Sequence, residues 1–165
     1  MKSRLRADLI DLMLTPGLSG HEERVAALIR AAFAAQSVAT DPPPSAVKET
    51  GESVTAELTT GGGACAVVGD HVVGALLWHR EPAGLYVGRL SVALDARGKG
   101  AAPALIAAAE DACRAMGLDR LLLSTRLVLT DNRRLFARCG FVETREYAHP
   151  GYAYPTAVDM EKPVS

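Results

Sequence analysis

The sequence is poor in cysteine, has no long apolar run and shows no excess of either charge. Its three cysteines, Cys65, Cys113 and Cys139, are an odd number at wide spacing with no CxxC pair. This argues against a disulfide framework or a zinc cluster and predicts free thiols in a reducing, cytoplasmic setting. Nothing approaches the ~18 apolar residues of a transmembrane helix, so no membrane role is expected. The stretch 1–14 carries basic residues, but Asp8 and Asp11 interrupt its apolar part and no small-residue cleavage site follows. It is therefore not read as a signal peptide. Eighteen Lys and Arg stand against nineteen Asp and Glu, a net charge of −1. No global basic field exists to hold a nucleic acid or an anionic lipid surface, so neither partner is expected. With 48% hydrophobic and 22% charged residues over 165 positions, the composition is that of one globular domain.

Periodicity divides the chain. Apolar residues at 5, 9, 12 and 14 predict a helix over 4–14, broken at Thr15-Pro16-Gly17. Ser19 and Glu22 have capping-box spacing, and Val25, Leu28, Ile29 and Phe33 recur at helical spacing behind them. The prolines of 41–45 exclude helix interior. A short helix is predicted over 52–58, ended by Thr59-Thr60 and three glycines. The period then changes to two. Segments 64–68 and 72–78 read as a β-hairpin around Gly69-Asp70-His71, and 84–92 as a further strand. Residues 102–116 give a helix with Pro103 in its first turn and Gly117 at its end. A continuously apolar strand at 121–125 is expected to be buried on both faces. Asp131 or Asn132 can cap a helix that stops at Gly140, and strands at 141–147 and 157–160 close the chain. The strand–helix–strand unit over 85–125 requires a crossover and hence a parallel pair in a mixed α/β sheet. The ligand site is expected where that crossover begins.

That point is Leu90-Ser91-Val92-Ala93-Leu94-Asp95-Ala96-Arg97-Gly98-Lys99-Gly100-Ala101-Ala102, a strand running through a glycine-bearing loop into a long helix. Small residues let successive backbone N–H groups converge, the helix dipole adds partial positive charge, and Arg97 and Lys99 add formal charge. Such a nest suits a diphosphate. No Lys-Ser/Thr pair follows, so it is not a Walker loop, and two glycines do not make the dinucleotide fingerprint. Glycines before a helix also serve tight turns, and both basic residues can be ordinary solvated charges, so the loop alone leaves both readings open.

Arg97 to Ala102 resembles the Arg-x-x-Gly-x-Ala acetyl-CoA loop of the GNAT-superfamily acyltransferases. Asn132-Arg-Arg-Leu-Phe-Ala-Arg-Cys-Gly140-Phe141 resembles that family's second signature, a short helix ending in Gly-Phe. The similarity spans 22–163, with 1–21 set apart as an N-terminal segment and 22–165 as the domain. It implies a mixed, mostly antiparallel sheet with flanking helices and a splayed parallel strand pair at the CoA site. It further implies an acetyl-CoA-dependent N-acetyltransferase acting on a primary amine by direct attack. By the same resemblance the amides of Gly98, Lys99, Gly100, Ala101 and Ala102, with Arg97, hold the pyrophosphate. The strand carrying Leu90 and Val92 pairs with the pantetheine arm, an N–H near Val92 polarises the thioester carbonyl, and Asn132 contacts CoA. A homodimer is a common arrangement in that family.

Two positions depart from the pattern. Phe136 stands four residues before Gly140, where many members carry a tyrosine that protonates the leaving thiolate. Tyr147, Tyr152 and Tyr154 are the tyrosines near enough in sequence to substitute, or they are packing and surface residues. The family's first strand should precede the helix at 22–33, and only 9–14 could supply it. Residues 16–25 instead resemble the opening of co-catalytic metallopeptidases, without a ligand set to follow. For a base, the candidates are His79, Glu81, Glu143 and His149. The aromatic, proline-stiffened segment 149–155 is expected to line the acceptor groove, which selects His149 and Tyr152, with Glu81, as catalytic candidates. Trp78 reads as a core anchor. The rival class is a non-catalytic acyl-CoA-binding module, suggested by Phe136.

Overall fold

The computed structural model describes residues 8–11 and 20–165 and gathers seven strands into one sheet. In chain order the elements are β1 (Asp8–Asp11), α1 (Glu22–Ala34), α2 (Gly51–Thr60), β2 (Gly61–Val68), β3 (His71–Glu81), β4 (Gly84–Val92), α3 (Ala101–Ala115), β5 (Arg120–Arg126), α4 (Thr130–Arg138), β6 (Val142–Tyr147) and β7 (Ala157–Pro163). The strand order is β1-β2-β3-β4-β5-β7-β6. Neighbours are antiparallel except β4 and β5, which are joined through α3 as the crossover requires.

Strand alternation sorts the side chains into two cores. Leu76 and Trp78 of β3 point to one face, with Leu85, Val87, Leu121 and Leu123, and meet Leu105, Ile106 and Ala109 of α3. Ala75 and Leu77 point to the other, with Cys65 and Val67, and meet Val25 and Ile29 of α1 and Val54 and Leu58 of α2. Trp78 is thus the core anchor its position predicts. All three cysteines are free thiols, and burial pushes Cys65 up to about 11.

Several expectations are corrected. Asp8–Asp11 is strand, not helix, because its backbone completes the open edge of β2 in register Asp8↔Val67 to Asp11↔Ala64. An isolated helix this short has little stability of its own to oppose that pairing. This segment overlaps the 9–14 stretch named for the first strand. The remaining residues of the expected 4–14 helix, the break at 15–17 and Ser19 lie outside the described residues. Helix α1 begins at Glu22, after Gly20 at φ +75°, so Glu22 cannot be the third residue of a box begun at Ser19. The box occurs in α2 instead: Ser53 N–H donates to Thr50 Oγ1 at 3.0 Å and Thr50 N–H to Ser53 Oγ at 2.8 Å. A serine in place of the usual Glu or Gln hides it in the sequence.

Thr59 and Thr60 continue α2 and Gly61–Gly63 already belong to β2, instead of all five serving as the helix stop; a Cβ on Gly61 would lie 2.2 Å from the Trp78 carbonyl oxygen. Strand β5 alternates in burial and is not enclosed on both faces. Leu129, with no side-chain cap, precedes α4, so Asp131 and Asn132 are its second and third residues.

Candidate functional site

Two departures from regular pairing open a cleft. Ala75 faces Ser91 and Leu77 faces Gly88, so two steps along β3 answer three along β4. Arg89 and Leu90 are left without partners in this bulge, and Arg89 takes φ +59°. For a residue with a Cβ that conformation costs roughly 1–2 kcal/mol. Side-chain contacts hold it: Arg89 Nη2 donates to Ser45 Oγ at 3.0 Å and lies 3.8 Å from the buried Glu49 carboxylate. Beyond Tyr86 the second departure begins. The parallel pairing of β4 with β5 covers Leu85–Leu121 and Tyr86–Leu122, after which the strands part. Ala93 N–H donates to Val73 O at 2.8 Å. Alternation then aims the Val92 N–H away from β3 and into the gap.

A cleft of about 1030 Å³ fills that gap. At one end, Gly98 and Gly100 take φ +75° and +90°, with nothing within 4 Å of a Cβ at either. Their glycines serve conformation, not crowding. Gly100 precedes α3 without a side-chain cap, and no acidic residue stands in the first turn. The N–H groups of Ala101 and Ala102 are therefore free of helical or capping partners, and Pro103 has none to offer. Arg97 Nε donates to Val92 O at 3.4 Å. Leu90, Val92, Arg97, Gly98, Gly100, Ala101, Ala102 and Asn132 all line the cleft, whereas the exposed Lys99 does not. Uncapped amides, a helix N-terminus and a basic side chain form an anion site that fits a diphosphate.

The opposite end is built of side chains. Arg126, Tyr147, Ser124 and His149 line it together with Ser45. Arg126 Nη1 donates to Pro42 O at 2.6 Å, and Ser124 Oγ and Tyr147 OH share a hydrogen bond of 2.5 Å. His149 Nδ1 bonds Thr156 Oγ1, which also accepts the His149 backbone N–H at 2.9 Å. Burial, and secondarily the Arg126 charge, hold the imidazole below its ordinary value, which favours the neutral ring. Tyr86, also lining the cleft, is pushed up by burial and then by Tyr147.

The other candidates lie elsewhere. Tyr152 donates its OH to Asp41 at 2.5 Å and, like the exposed Tyr154, does not line the cleft. Glu81 sits at the far end of β3, 3.2 Å from His79 Nε2, and His79 stacks on Tyr86 with centroids 5.1 Å apart; neither residue lines the cleft. Glu143 accepts two bonds from Arg133, at 2.7 and 3.0 Å, which holds its carboxyl below the usual range and makes it a weak base. Phe136 lines the cleft and packs edge-on against Phe141. Among the described residues no three His, Cys, Asp or Glu side chains converge as a metal site, and no helix is long and apolar enough to cross a membrane. Sequence reasoning missed Arg126, although Ser-Thr-Arg at the carboxyl end of a strand in a parallel pair is where α/β sheets place ligands.

The model of the Acetyltransferase (GNAT) family matches residues 27–141. The chain belongs to that family. The structure of a GNAT-family acetyltransferase from Streptococcus pneumoniae superposes with a TM-score of 0.70 over 96% of this chain and 100% of that one, at 15% identity. A Bacillus anthracis protein assigned as a streptothricin acetyltransferase, solved with acetyl coenzyme A, gives 0.60 at 16% identity, over 64% of each chain. A nourseothricin acetyltransferase gives 0.58 at 23% identity, over 64% of this chain. The chain spans 64% and 66% of the length of these last two. No curated protein matches the sequence. The splayed β4–β5 pair and the loop before α3 are thus elements of a GNAT fold.

Proposed function

We propose that this GNAT protein transfers the acetyl group of acetyl-CoA to a primary amine by direct attack. One observation carries the reading. The edge of β4 that β5 leaves unpaired at Leu90–Val92 runs into the uncapped start of α3, so thioester and diphosphate can be held along one continuous backbone track.

On this reading the amides at 98–102 and Arg97 hold the diphosphate, and Asn132 contacts the CoA from α4. The inward N–H of Val92, beside the free backbone of Leu90, takes the thioester carbonyl oxygen and stabilises the charge that builds on it. A primary amine of pKa near ~10 must lose a proton to attack. Thr156 Oγ1 has two lone pairs and can accept both the His149 backbone N–H and Nδ1–H, which leaves the Nε2 lone pair free to accept a proton. A neutral His149 then takes the proton of the attacking nitrogen. The tetrahedral adduct collapses, the C–S bond breaks, and the electron pair leaves on sulfur. A thiol of pKa near ~8.5 is a tolerable leaving group. Phe136 therefore does not block the reaction, and Tyr147 OH, hydrogen-bonded to Ser124, is a cleft group able to return a proton to the thiolate.

The test is calorimetric titration with acetyl-CoA of the wild type and an Arg97→Ala/Gly100→Trp variant, followed by an amine screen for free-thiol release. Micromolar binding lost in the variant, with turnover of an amine by the wild type, is the expected outcome. Absence of wild-type binding would remove the assignment. Tight binding without turnover across a broad amine panel would favour the non-catalytic binding module.

A further inference from the structure

Resting on the transfer reading above, we infer that the acceptor carries a carboxylate beside its amine and that Arg126 holds that carboxylate. Among the described residues, the charged side chains lining the cleft are Arg89, Arg97, Arg126, Arg138 and Asp131. Arg89 is compensated by Glu49 at 3.8 Å, and Asp131 lies 3.8 Å from Arg134. Arg97 belongs to the diphosphate loop and Arg138 to α4. Arg126 remains, at the side-chain end beside His149. Its guanidinium is part-buried and pinned by one N–H to Pro42 O at 2.6 Å, and among the described residues it has no carboxylate within ion-pair distance. Asp41, adjacent to Pro42, accepts the Tyr152 OH instead.

A part-buried cation without a counter-ion is costly until a ligand provides one. The Pro42 bond occupies a single donor, so the rest of the planar fork is free to grip a carboxylate through two parallel bonds. Among the described residues the cleft offers no free carboxylate to a polycationic acceptor, because Asp131, the one that lines it, already has a partner. An α-amino acid or a small relative matches this pattern: the carboxylate docks on Arg126 and the amine is delivered toward the Leu90–Val92 track.

The test measures thiol release from acetyl-CoA with the standard amino acids, each paired with its carboxamide, and with putrescine and spermidine. Wild-type protein should use at least one amino acid about tenfold or more better in kcat/KM than its carboxamide, the effect of losing a charged hydrogen-bonded pair. Arg126→Gln should collapse that ratio toward one, chiefly by raising KM for the acid, with acetyl-CoA affinity retained; Arg126→Lys should keep part of it. Carboxamides or polyamines used as well as the acids, or an Arg126→Gln ratio equal to wild type, would overturn the inference. So would acetyl-CoA binding with no acid turned over. None of these touches the transfer reading, which fails only if acetyl-CoA does not bind or no amine of any class is acetylated.

Discussion

At one end of the cleft, between Val92 and Ala102, the groups facing the gap are backbone amides set by two left-handed glycines and a helix start. At the other they are the side chains of Arg126 and Tyr147, held by partners remote in sequence, and of His149, held by Thr156 seven positions on. A backbone site tolerates changes of side chain and fails when its dihedrals fail. A side-chain site answers to single deletions while its backbone stays put. That is how one scaffold can keep its acyl donor while its acceptor changes.

The largest effect should come from breaking the backbone end. Gly100→Trp places a side chain on a φ of +90°, at a strain of roughly 1–2 kcal/mol, and lays an indole across the start of α3. Acetyl-CoA affinity should drop about 100-fold or more, some 2.7 kcal/mol by calorimetry. Lys99→Ala, in the same loop but exposed and off the cleft, should change affinity by no more than about threefold. A large Lys99 effect would show that formal charge, not the amide nest, dominates that end.

At the side-chain end the signature reverses. His149→Ala should lower kcat by about 100-fold, the usual contribution of a positioned base, with acetyl-CoA affinity unchanged. Because the imidazole is held below its ordinary value, it stays neutral to lower pH, and the acidic limb of kcat/KM should lie below ~6.5. Removing the neighbouring charge with Arg126→Gln should move that limb upward, though only part-way, since burial is the larger cause. A limb at or above the free-histidine value would exclude His149 as the base. Tyr147→Phe should cost kcat about tenfold or less, because a thiolate leaves without full assistance. A loss as large as that for His149→Ala would mean proton return limits the rate.

The contrast between the ends also explains what was legible beforehand. The loop, its glycines and the start of α3 lie within thirteen consecutive residues, so local pattern reveals both the element types and their chemistry. The parallel pair follows from the single strand–helix–strand crossover. By contrast, Arg126 meets Pro42 across 84 positions and Tyr152 meets Asp41 across 111. No periodicity encodes such a meeting, and so Tyr152 and Glu81 looked as eligible as His149. The segment Asp8–Asp11 failed as a helix for a related reason. Its state is decided by the free edge of β2, which is more than fifty residues away.

The smallest effect concerns the bulge where the two ends meet. Glu49, which faces Arg89 there, is buried, and Glu57 of α2 stands beside it. Burial first, then the hydrogen bond to Glu49 and its charge, push Glu57 up to about 7, with Arg89 opposing. The folded protein therefore keeps a proton on Glu57 between about 4.5 and 7 that the unfolded chain has released. Stability from this proton is fully present below the unfolded value and is lost as pH rises through 7. Glu57→Gln stays neutral at every pH, so it should match wild type near pH 4.5 and exceed it above pH 7. The gain should be about 1 kcal/mol or less, because Glu57 is only partly withdrawn from solvent, which screens the pair. Thermal melts at pH 5 and 8 measure it. A pH dependence of Tm unchanged by Glu57→Gln would show that the two carboxylates ionise independently, leaving the Glu49–Arg89 pair as the sole charged support of the bulge.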